Sequence, residues 1–330
     1  MDYKNSKISA VILLFSLICY SQTVQSKSSG KLKVGYYRRT CPQAEIIVRR
    51  AVNKAVSQNP GLAAGLIRMH FHDCFIRGCD GSVLLNSVAG KPAAEKDSFV
   101  NNPSLRGFEV IDEAKAQIEA ICPKTVSCAD ILAFSARDSA LKVGRIGYDV
   151  PSGRKDGLIS LSSEVLTNLP APFLNATQLR DNFRSKGMSL DEMVTLSGAH
   201  SIGVSRCSSF ANRLSGFNTT LGQDPSMDPG YGAFLRSRCP ANSRNAVNND
   251  VLTPNRLDSK YYEALKIKKG LLTSDQTLFE SALTRKMVVD NARFGSGWAR
   301  KFAAAMVRMG NIDVLTGTQG EIRINCNFVN

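Results

Sequence analysis

The sequence lacks the features that mark several large classes of protein. Beyond its first 26 residues no segment is apolar for long enough to form a transmembrane helix, so we predict a soluble protein with no membrane partner. No long low-complexity linker divides the 330 residues, which leaves one large domain or two modest ones. There is no basic run of about 5–8 residues, which counts against a nucleic-acid partner. Only three histidines are present, so few imidazole sites are possible.

The N-terminal region has the pattern of a secretory signal peptide. Two lysines precede an apolar run from Ile8 to Ile18, which is too short to span a bilayer, and small and polar residues follow it. We predict that residues 1–26 are a signal peptide cleaved between about positions 21 and 26. Residues 27–330 would then be a single exported domain.

The cysteine count and the net charge also bear on export. Of the nine cysteines, Cys19 lies inside the predicted signal peptide, and the remaining eight imply four disulfides in an exported chain. About 105 pairings are possible, so the count alone does not assign them. The formal net charge is +14, and a strongly basic exported protein should adhere to polyanions. In a walled cell the abundant polyanion is pectin, so we predict an anionic wall polysaccharide as a partner.

The stretch from Arg68 to Ser82 holds two of the three histidines. Asn59 and Pro60 provide an N-cap and a proline at the first helical position, and apolar residues then recur at helical spacing. On this predicted helix Arg68 and His72 are four residues apart and share a face. That face also carries small residues that leave room for a large flat group, namely Gly61, Ala64 and Gly65.

Oxygen-bearing side chains follow His72 in one short loop, where Asp73, Asp80 and Ser82 lie near the carbonyl of Gly78. Calcium takes about 6–8 oxygen ligands of these kinds. A His-x-His pair is more often structural than catalytic, and its two members do not share a helix face, which argues against a two-histidine zinc site. From spacing alone, a structural and a functional interpretation of this stretch both remain open.

The third histidine, His200, follows a capping box formed by Ser189 and Glu192 and shares a face with apolar residues of the predicted helix. A lone histidine on an apolar face is more often a core residue than a ligand. Gly198 and its small neighbours, however, make a second window through which a flat group could approach. Residues 250–258 add a second cluster of oxygen-bearing side chains.

The rest of the chain is predicted to be mainly α-helical. Capping signals place Ser127 before one helix and Thr177 before another. The last predicted helix has an apolar face that includes Trp298 and Met309. Further helices are predicted from Ala44 onward and at Gly107–Ile121, Ala129–Leu141, Gln178–Lys186 and Ser259–Lys269.

The run Arg-x-His-Phe-His-Asp-Cys-Phe-x-x-Gly-Cys-Asp-Gly-Ser, from Arg68 to Ser82, resembles the distal motif of the plant secretory (class III) haem peroxidases. The stretch around His200 resembles the proximal haem-ligand motif of the same family, and the match extends over nearly the whole mature chain. The resemblance implies an all-α haem-peroxidase fold with minor β structure. In that fold about ten or more helices form distal and proximal halves that sandwich haem.

The resemblance also implies the catalytic residues and two kinds of cofactor, haem b and two calcium ions. Arg68 and His72 would be the catalytic pair, with His72 acting as base and then acid and Arg68 stabilising developing charge. Asn101 would accept a hydrogen bond from His72. His200 would bind the haem iron, as a proximal histidine does in peroxidases, with Asp275 accepting a hydrogen bond from its other ring nitrogen.

Calcium ligands, disulfides and substrate contacts are implied in the same way. The first calcium would be bound by Asp73, Ile76, Gly78, Asp80 and Ser82. The second would be bound by Ser201, where threonine is commoner in the family, and by Asp250, Thr253, the carbonyl of Arg256, and Asp258. The implied disulfides are Cys41–Cys122, Cys74–Cys79, Cys128–Cys326 and Cys207–Cys239. Donor access would be lined by Phe99, Pro170 and Phe173, with Ser209 replacing an aromatic residue found in some members.

The sequence therefore predicts a secreted, monomeric peroxidase that reduces hydrogen peroxide and oxidises small phenolic donors by one-electron steps, as in lignin or suberin coupling, wall cross-linking and the response to oxidative stress. Asn175 and Asn218 begin glycosylation sequons. The chain ends at Asn330 without the extension that marks vacuolar sorting in the family, which favours the apoplast and cell wall.

Two other functions stay open at this point. A calcium-dependent wall-binding module would explain the charge and the oxygen-rich loops, and a zinc hydrolase would use His70, His72 and Asp73. A Soret band in the purified protein would distinguish both from a peroxidase.

Overall fold

The computed structural model describes residues 31–218, 220–241 and 243–330, so the predicted signal peptide and its cleavage site lie outside the described residues. Within them the chain forms thirteen α-helices. The helices are α1 (Ala44–Gln58), α2 (Gly61–Ile76), α3 (Phe108–Glu119), α4 (Cys128–Gly144), α5 (Val165–Asn168), α6 (Ala176–Ser185), α7 (Leu190–Ser197), α8 (Ala211–Leu214), α9 (Pro229–Arg238), α10 (Lys260–Lys266), α11 (Thr273–Glu280), α12 (Arg285–Arg293) and α13 (Gly295–Met309). None of these helices is both long and apolar enough to cross a bilayer.

Strands are few and short in the described part of the chain. β1 (Lys33–Val34) pairs antiparallel with β2 (Pro151–Ser152), and β3 (Val204–Arg206) pairs antiparallel with β4 (Ala246–Asn248). The predicted all-α fold with minor β structure is therefore confirmed.

The helices pack around two main hydrophobic cores. The first lies among α1 to α4 and includes Val52, Leu66 and Leu132. The second lies mainly among α6, α7 and α10 to α13 and includes Trp298 and Phe302. Helices α2 and α4 contribute side chains to both cores. Helix α2 is therefore buried on most sides, and its polar residues lie between the two cores.

Side-chain caps set several helix boundaries. Ser127 accepts a hydrogen bond from the backbone N–H of Asp130 at the start of α4, and the capping box predicted at the start of α7 is present. The prediction for α6 was wrong by two residues, because Asn175 rather than Thr177 is the cap. Asn175 Oδ1 accepts from the N–H of Gln178 at 3.0 Å, and the Gln178 side chain accepts from the N–H of Asn175 at 2.9 Å. Each side chain thus satisfies the backbone N–H of the other residue, and this capping box favours Asn175 over Thr177 as the N-cap.

The helix predicted to run through His200 ends earlier. α7 stops at Ser197, and residues Gly198–Ser201 form a tighter 3-10 turn. His200 therefore leaves the apolar face that α7 buries in the core.

Four disulfides join Cys41 to Cys122, Cys74 to Cys79, Cys128 to Cys326, and Cys207 to Cys239. This is the pairing that the family resemblance implies. A buried clamp lies beside the third bridge, where the Asp156 carboxylate accepts from the backbone N–H groups of Ala129 and Arg323. The Arg323 guanidinium in turn donates to the carbonyl of Gly81 at 2.7 Å. The C-terminal segment thus supports the loop that follows α2.

Candidate functional site

Helix α2 places His72 in a buried position opposite the loop that follows residue 95. His72 Nδ1 lies 2.7 Å from Asn101 Oδ1, and Asn101 Nδ2 donates to the Glu95 carbonyl at 2.8 Å. Because that carbonyl can only accept, the Asn101 amide is oriented with its oxygen towards the histidine. Nδ1 of His72 must then carry the proton, which leaves Nε2 as a free base. Burial and the charge of Arg68 together hold the pKa of His72 well below its ordinary value.

Arg68 lies one helical turn before His72 and is held by the same loop. Its guanidinium donates to Ser104 Oγ at 2.9 Å and to the Val100 carbonyl at 3.3 Å. Burial, with a smaller effect of the Arg106 charge, lowers the pKa of Arg68 to about 10, so the group stays cationic at neutral pH. A fixed cation and a neutral imidazole therefore lie side by side.

His200 occupies the other side of the site. Its Nδ1 lies 2.7 Å from Oδ1 of the buried Asp275, whose Oδ2 accepts from the N–H of Leu272 at 3.0 Å. Burial alone would lower the pKa of His200, but the charge and hydrogen bond of Asp275 outweigh it and raise that pKa. The pKa of Asp275 is lowered, because burial, which would raise it, is outweighed by the charge and hydrogen bond of His200.

The turn that carries His200 lies close to α2. A Cβ on Gly203, three residues after His200, would lie 3.0 Å from the Cβ of Ala64, which is one helical turn before Arg68. The charge of Arg68 acts to lower the pKa of His200 as well as that of His72. The His200 side chain is 41% exposed. With Nδ1 engaged by Asp275, the ring nitrogen Nε2 is left free to bind a metal ion. A free imidazole nitrogen oriented by a carboxylate suits a haem iron.

Tyr261 is a residue of this site that the sequence did not indicate. Its phenol donates to Asp275 Oδ1 at 2.9 Å, the same oxygen that faces His200 Nδ1. Burial and the charge of Asp275 raise the pKa of Tyr261 well above its ordinary value, so the phenol remains a donor. Tyr262, its neighbour, instead donates to carbonyl groups of α7.

Two of the glycines predicted to leave room for a flat group pack against the protein itself. A Cβ added at Gly65 would lie 2.6 Å from the Arg106 carbonyl oxygen, and one added at Gly198 would lie 2.7 Å from Tyr262 Oη. Both glycines therefore make room for other parts of the protein, not for a flat ligand. A Cβ on Gly203 would lie 3.0 Å from Ala64, so α2 and the segment after His200 pack closely together.

Buried carboxylates lie at the end of α2 and in the segment that follows it. Burial raises the pKa of Asp73 well above its ordinary value, helped by the charge of Asp80, whose own pKa burial also raises. Glu95 is equally buried, and in the described residues neither of its carboxylate oxygens nor Ser82 Oγ has a hydrogen-bond partner. The carbonyl of Gly78 lies in the same loop, while that of Ile76 accepts from Lys186 at 3.5 Å. The unpartnered Glu95 carboxylate and Ser82 hydroxyl, beside the buried carboxylates of Asp73 and Asp80, are oxygen ligands that suit a hard cation.

A second oxygen cluster follows His200. Thr253 Oγ1 lies 3.1 Å from Asp250 Oδ2 and 3.0 Å from Asp258 Oδ1, while Ser201 Oγ accepts from the N–H of Asp258 at 3.2 Å. The Arg256 side chain is 75% exposed, and its Nε lies 3.5 Å from Asp258 Oδ2. The described residues contain no group of three or more His, Cys, Asp or Glu side chains that could hold a metal ion. Each oxygen cluster depends on hydroxyl or carbonyl groups as well as carboxylates.

His70 does not join His72 in a metal site. It is buried next to the Cys74 sulfur, 3.7 Å from its Nδ1, and burial with the charge of Arg154 lowers the pKa of His70 to about 3. The zinc alternative therefore lacks converging ligands in the described part of the chain.

Two phenylalanines implied in donor access are unusually open. Phe99 is 76% exposed and Phe173 is 65% exposed, and Pro170 is half-buried. Phe99 directly precedes Val100, whose carbonyl binds Arg68. The sequon residues Asn175 and Asn218 are also exposed.

Comparison with known proteins gives a consistent result. A family model described as Peroxidase matches residues 48–293. The chain is 52% identical over 322 residues to Peroxidase 5 of Vitis vinifera, covering 97% of this chain and 96% of that protein. It is 46% identical to Peroxidase 2 of Zea mays, covering 97% and 94%, and 42% identical to Peroxidase 49 of Arabidopsis thaliana, covering 98% and 99%.

Proposed function

This chain belongs to the secretory (class III) haem peroxidases of plants, and we propose that Arg68, His72 and Asn101 form its peroxide-reacting group while His200 holds haem b. The protein is accordingly a peroxidase, an oxidoreductase that reduces hydrogen peroxide with electrons from a donor. The residue assignment is supported by one arrangement: Asn101 fixes a neutral His72 on α2, and Asp275 engages Nδ1 of His200 on a turn that packs against the same helix.

The reaction requires a proton to move between the two oxygens of hydrogen peroxide. His72 Nε2, unprotonated because Nδ1 donates to Asn101, accepts the proton from one oxygen and returns it to the other as the O–O bond breaks. Arg68 stabilises the negative charge that develops on the leaving oxygen. Asn101 keeps the ring in the required tautomer through its own bond to the Glu95 carbonyl.

His200 and Asp275 would control the metal. His200 would hold haem through its iron, and haem would supply the one-electron redox chemistry of the reaction. Asp275 orients His200 and makes it a more basic ligand through the 2.7 Å contact with Nδ1. In sum, one peroxide and two phenols yield two waters and two phenoxyl radicals.

The donors are phenols, as in the family generally, and we assign their contact surface to Phe99, Phe173 and Pro170. Exposed aromatic rings give a phenol an apolar surface to stack on. Released phenoxyl radicals couple without further help, which suits lignin or suberin formation, wall cross-linking and peroxide removal under oxidative stress.

Secretion to the apoplast is supported by the four disulfides, which persist in oxidising compartments. We assign residues 1–26 to the signal peptide, residues 27–330 to one monomeric domain, and Asn175 and Asn218 to glycan attachment. The net charge of +14 supports adhesion to anionic wall polysaccharide.

A spectrum and an assay test the function together. Protein purified with haem supplied should show a Soret band and should oxidise a small phenol such as guaiacol only when hydrogen peroxide is present. Haem-free protein from the same preparation is the control. A preparation that binds no haem, or one that oxidises the phenol equally well without peroxide, would overturn the proposal.

We also assign a calcium ion to each oxygen cluster. Asp73, Ile76, Gly78, Asp80 and Ser82 would bind the first. Ser201, Asp250, Thr253, Arg256 and Asp258 would bind the second. The orphaned Ser82 hydroxyl and the raised pKa values of Asp73 and Asp250, both caused mainly by burial, support cations at these places.

Chelation should lower turnover before it unfolds the protein. Asp73 directly follows His72, and Ser201 directly follows His200, so a shift of either loop displaces a histidine of the site. We expect prolonged chelation at room temperature to change the Soret band and lower phenol oxidation several-fold, while far-UV circular dichroism stays helical. Restoring calcium should restore both. Unchanged spectrum and activity in protein shown by metal analysis to be calcium-free would refute the coupling.

Tyr261→Phe should make the haem iron harder to reduce. The phenol shares Asp275 Oδ1 with His200, so its removal leaves more negative charge on the oxygen that faces the iron ligand. A hydrogen bond worth about 1 kcal/mol predicts a fall in midpoint potential on the order of tens of millivolts. Tyr262→Phe is the matched control, because Tyr262 contacts carbonyls of α7 and not Asp275. Equal shifts in the two variants would contradict this role.

A further inference from the structure

A surface cleft of about 610 Å³ lies outside the peroxide-reacting site. It is formed by the end of α1, the start of α2, the end of α4 and the loop that carries Arg256. None of Arg68, His72, Asn101 or His200 lines it. Its size is within the range of ligand-binding clefts, about 300–1,000 Å³.

The lining of this cleft is positively charged. Lys142, Arg145 and Arg256 contribute side chains, and no acidic residue occurs among the described residues that line it. Lys142 and Arg145 are exposed and form no salt bridge with any described residue, while Arg256 approaches Asp258 only to 3.5 Å. Cations without close partners in a concave surface attract and hold anions.

Arg145 occupies a backbone position that does not favour arginine. It follows the last turn of α4 with φ of 55°, the left-handed conformation in which glycine and asparagine are preferred at helix ends. A substitution there by asparagine removes the charge and also relieves backbone strain. This position therefore permits a test that does not endanger the fold.

The remaining lining indicates the kind of anion. Ser57 and Asn255 offer hydrogen-bonding groups, and Val143 offers apolar surface, so the cleft suits a ligand with hydroxyl groups and carbon rings as well as negative charge. The three cations come from two segments, the end of α4 and the loop that carries Arg256, so a ligand with several charges can engage more of them than a single compact anion. No aromatic side chain lines the cleft, whereas proteins that bind single-stranded nucleic acid generally stack its bases on aromatic rings.

We propose that this cleft binds a short segment of a uronate polysaccharide, with carboxylates of the sugar chain against Lys142, Arg145 and Arg256. The inference rests on the proposed adhesion to anionic wall polymer and is independent of the peroxide reaction. Under this proposal the protein binds the polysaccharide at one saturable site on its surface, and not through its net charge alone.

The test compares two pairs of substitutions that remove the same charge. Lys142→Gln with Arg145→Asn neutralises the cleft, and Lys91→Gln with Arg300→Gln neutralises two exposed cations elsewhere. Calorimetric titration of the haem-loaded protein with a short galacturonate oligomer at fixed salt should show about tenfold weaker binding for the cleft pair. The control pair should bind about as well as the unsubstituted protein. Peroxidase activity and Soret spectrum should be unchanged in both pairs.

Other outcomes separate the possible errors. Equal weakening by both pairs, or no weakening by the cleft pair, would overturn the cleft while leaving general adhesion intact. Failure of the unsubstituted protein to bind the oligomer would overturn adhesion and cleft together, without touching the peroxidase assignment. Equal binding of the methyl-esterified oligomer, or full competition by inorganic phosphate, an acidic peptide or an oligonucleotide, would overturn the uronate assignment.

Discussion

His72→Leu should slow the reaction with hydrogen peroxide by about 10²–10⁴-fold, the usual contribution of a positioned acid–base group, while haem is retained. Leucine cannot accept a proton, so the base is lost. The His200–Asp275 pair that would hold the haem iron does not include residue 72, so haem binding should remain. Stopped-flow spectra should therefore show a normal resting state and very slow reaction with peroxide. A His72→Leu protein that reacts at the unsubstituted rate would refute the assignment.

His70→Gln is the matched control for this experiment. His70 lies two residues away on α2, equally buried, but its surroundings are Cys74 and Arg154 and not Asn101. We expect the peroxide rate of this variant to stay near that of the unsubstituted protein. A loss as large as that of His72→Leu, with helical circular dichroism preserved, would mean that any disturbance of α2 abolishes the reaction and that His72 has no special part in it.

His200→Ala should abolish haem retention. Loss of a group that hydrogen-bonds to a metal ligand costs about 10–100-fold in affinity, and loss of the ligand itself should cost more. We therefore expect Asp275→Asn to weaken haem binding within that range and His200→Ala to pass through gel filtration without a Soret band. Added imidazole should partly restore haem to His200→Ala, because it can fill the space that the side chain leaves. Full haem content in His200→Ala without imidazole would exclude His200 as the ligand.

Much of this site is contained in short contiguous runs, which is why the sequence could predict it. Arg68 and His72 share one helix, and their relation follows from helical spacing alone. The capping box before α7 is equally local and was predicted correctly. Contacts between side chains within one or two helical turns can be predicted from the sequence in this way.

Contacts between distant segments could not be predicted from spacing. Glu95 orients Asn101 through its backbone carbonyl, a role that carries no side-chain signature. Tyr261 and Tyr262 are neighbours, yet only the first reaches Asp275, and which ring does so depends on how α10 packs. The glycines were misinterpreted for a related reason. A sequence shows that space has been left beside a backbone but not whether protein or ligand occupies it.

The Asp156–Arg323 clamp links the site to the timing of protein synthesis. The carbonyl of Gly81, in the loop that follows α2, accepts a hydrogen bond from Arg323, which lies 242 positions further along the chain. A polypeptide that ended at residue 320 would contain every proposed catalytic residue but would lack Arg323 and its hydrogen bond to that loop. Such a truncated chain should bind calcium and haem poorly even when oxidised and folded with both present. The first histidine motif therefore depends for part of its support on a residue that the ribosome adds long after the motif itself is complete.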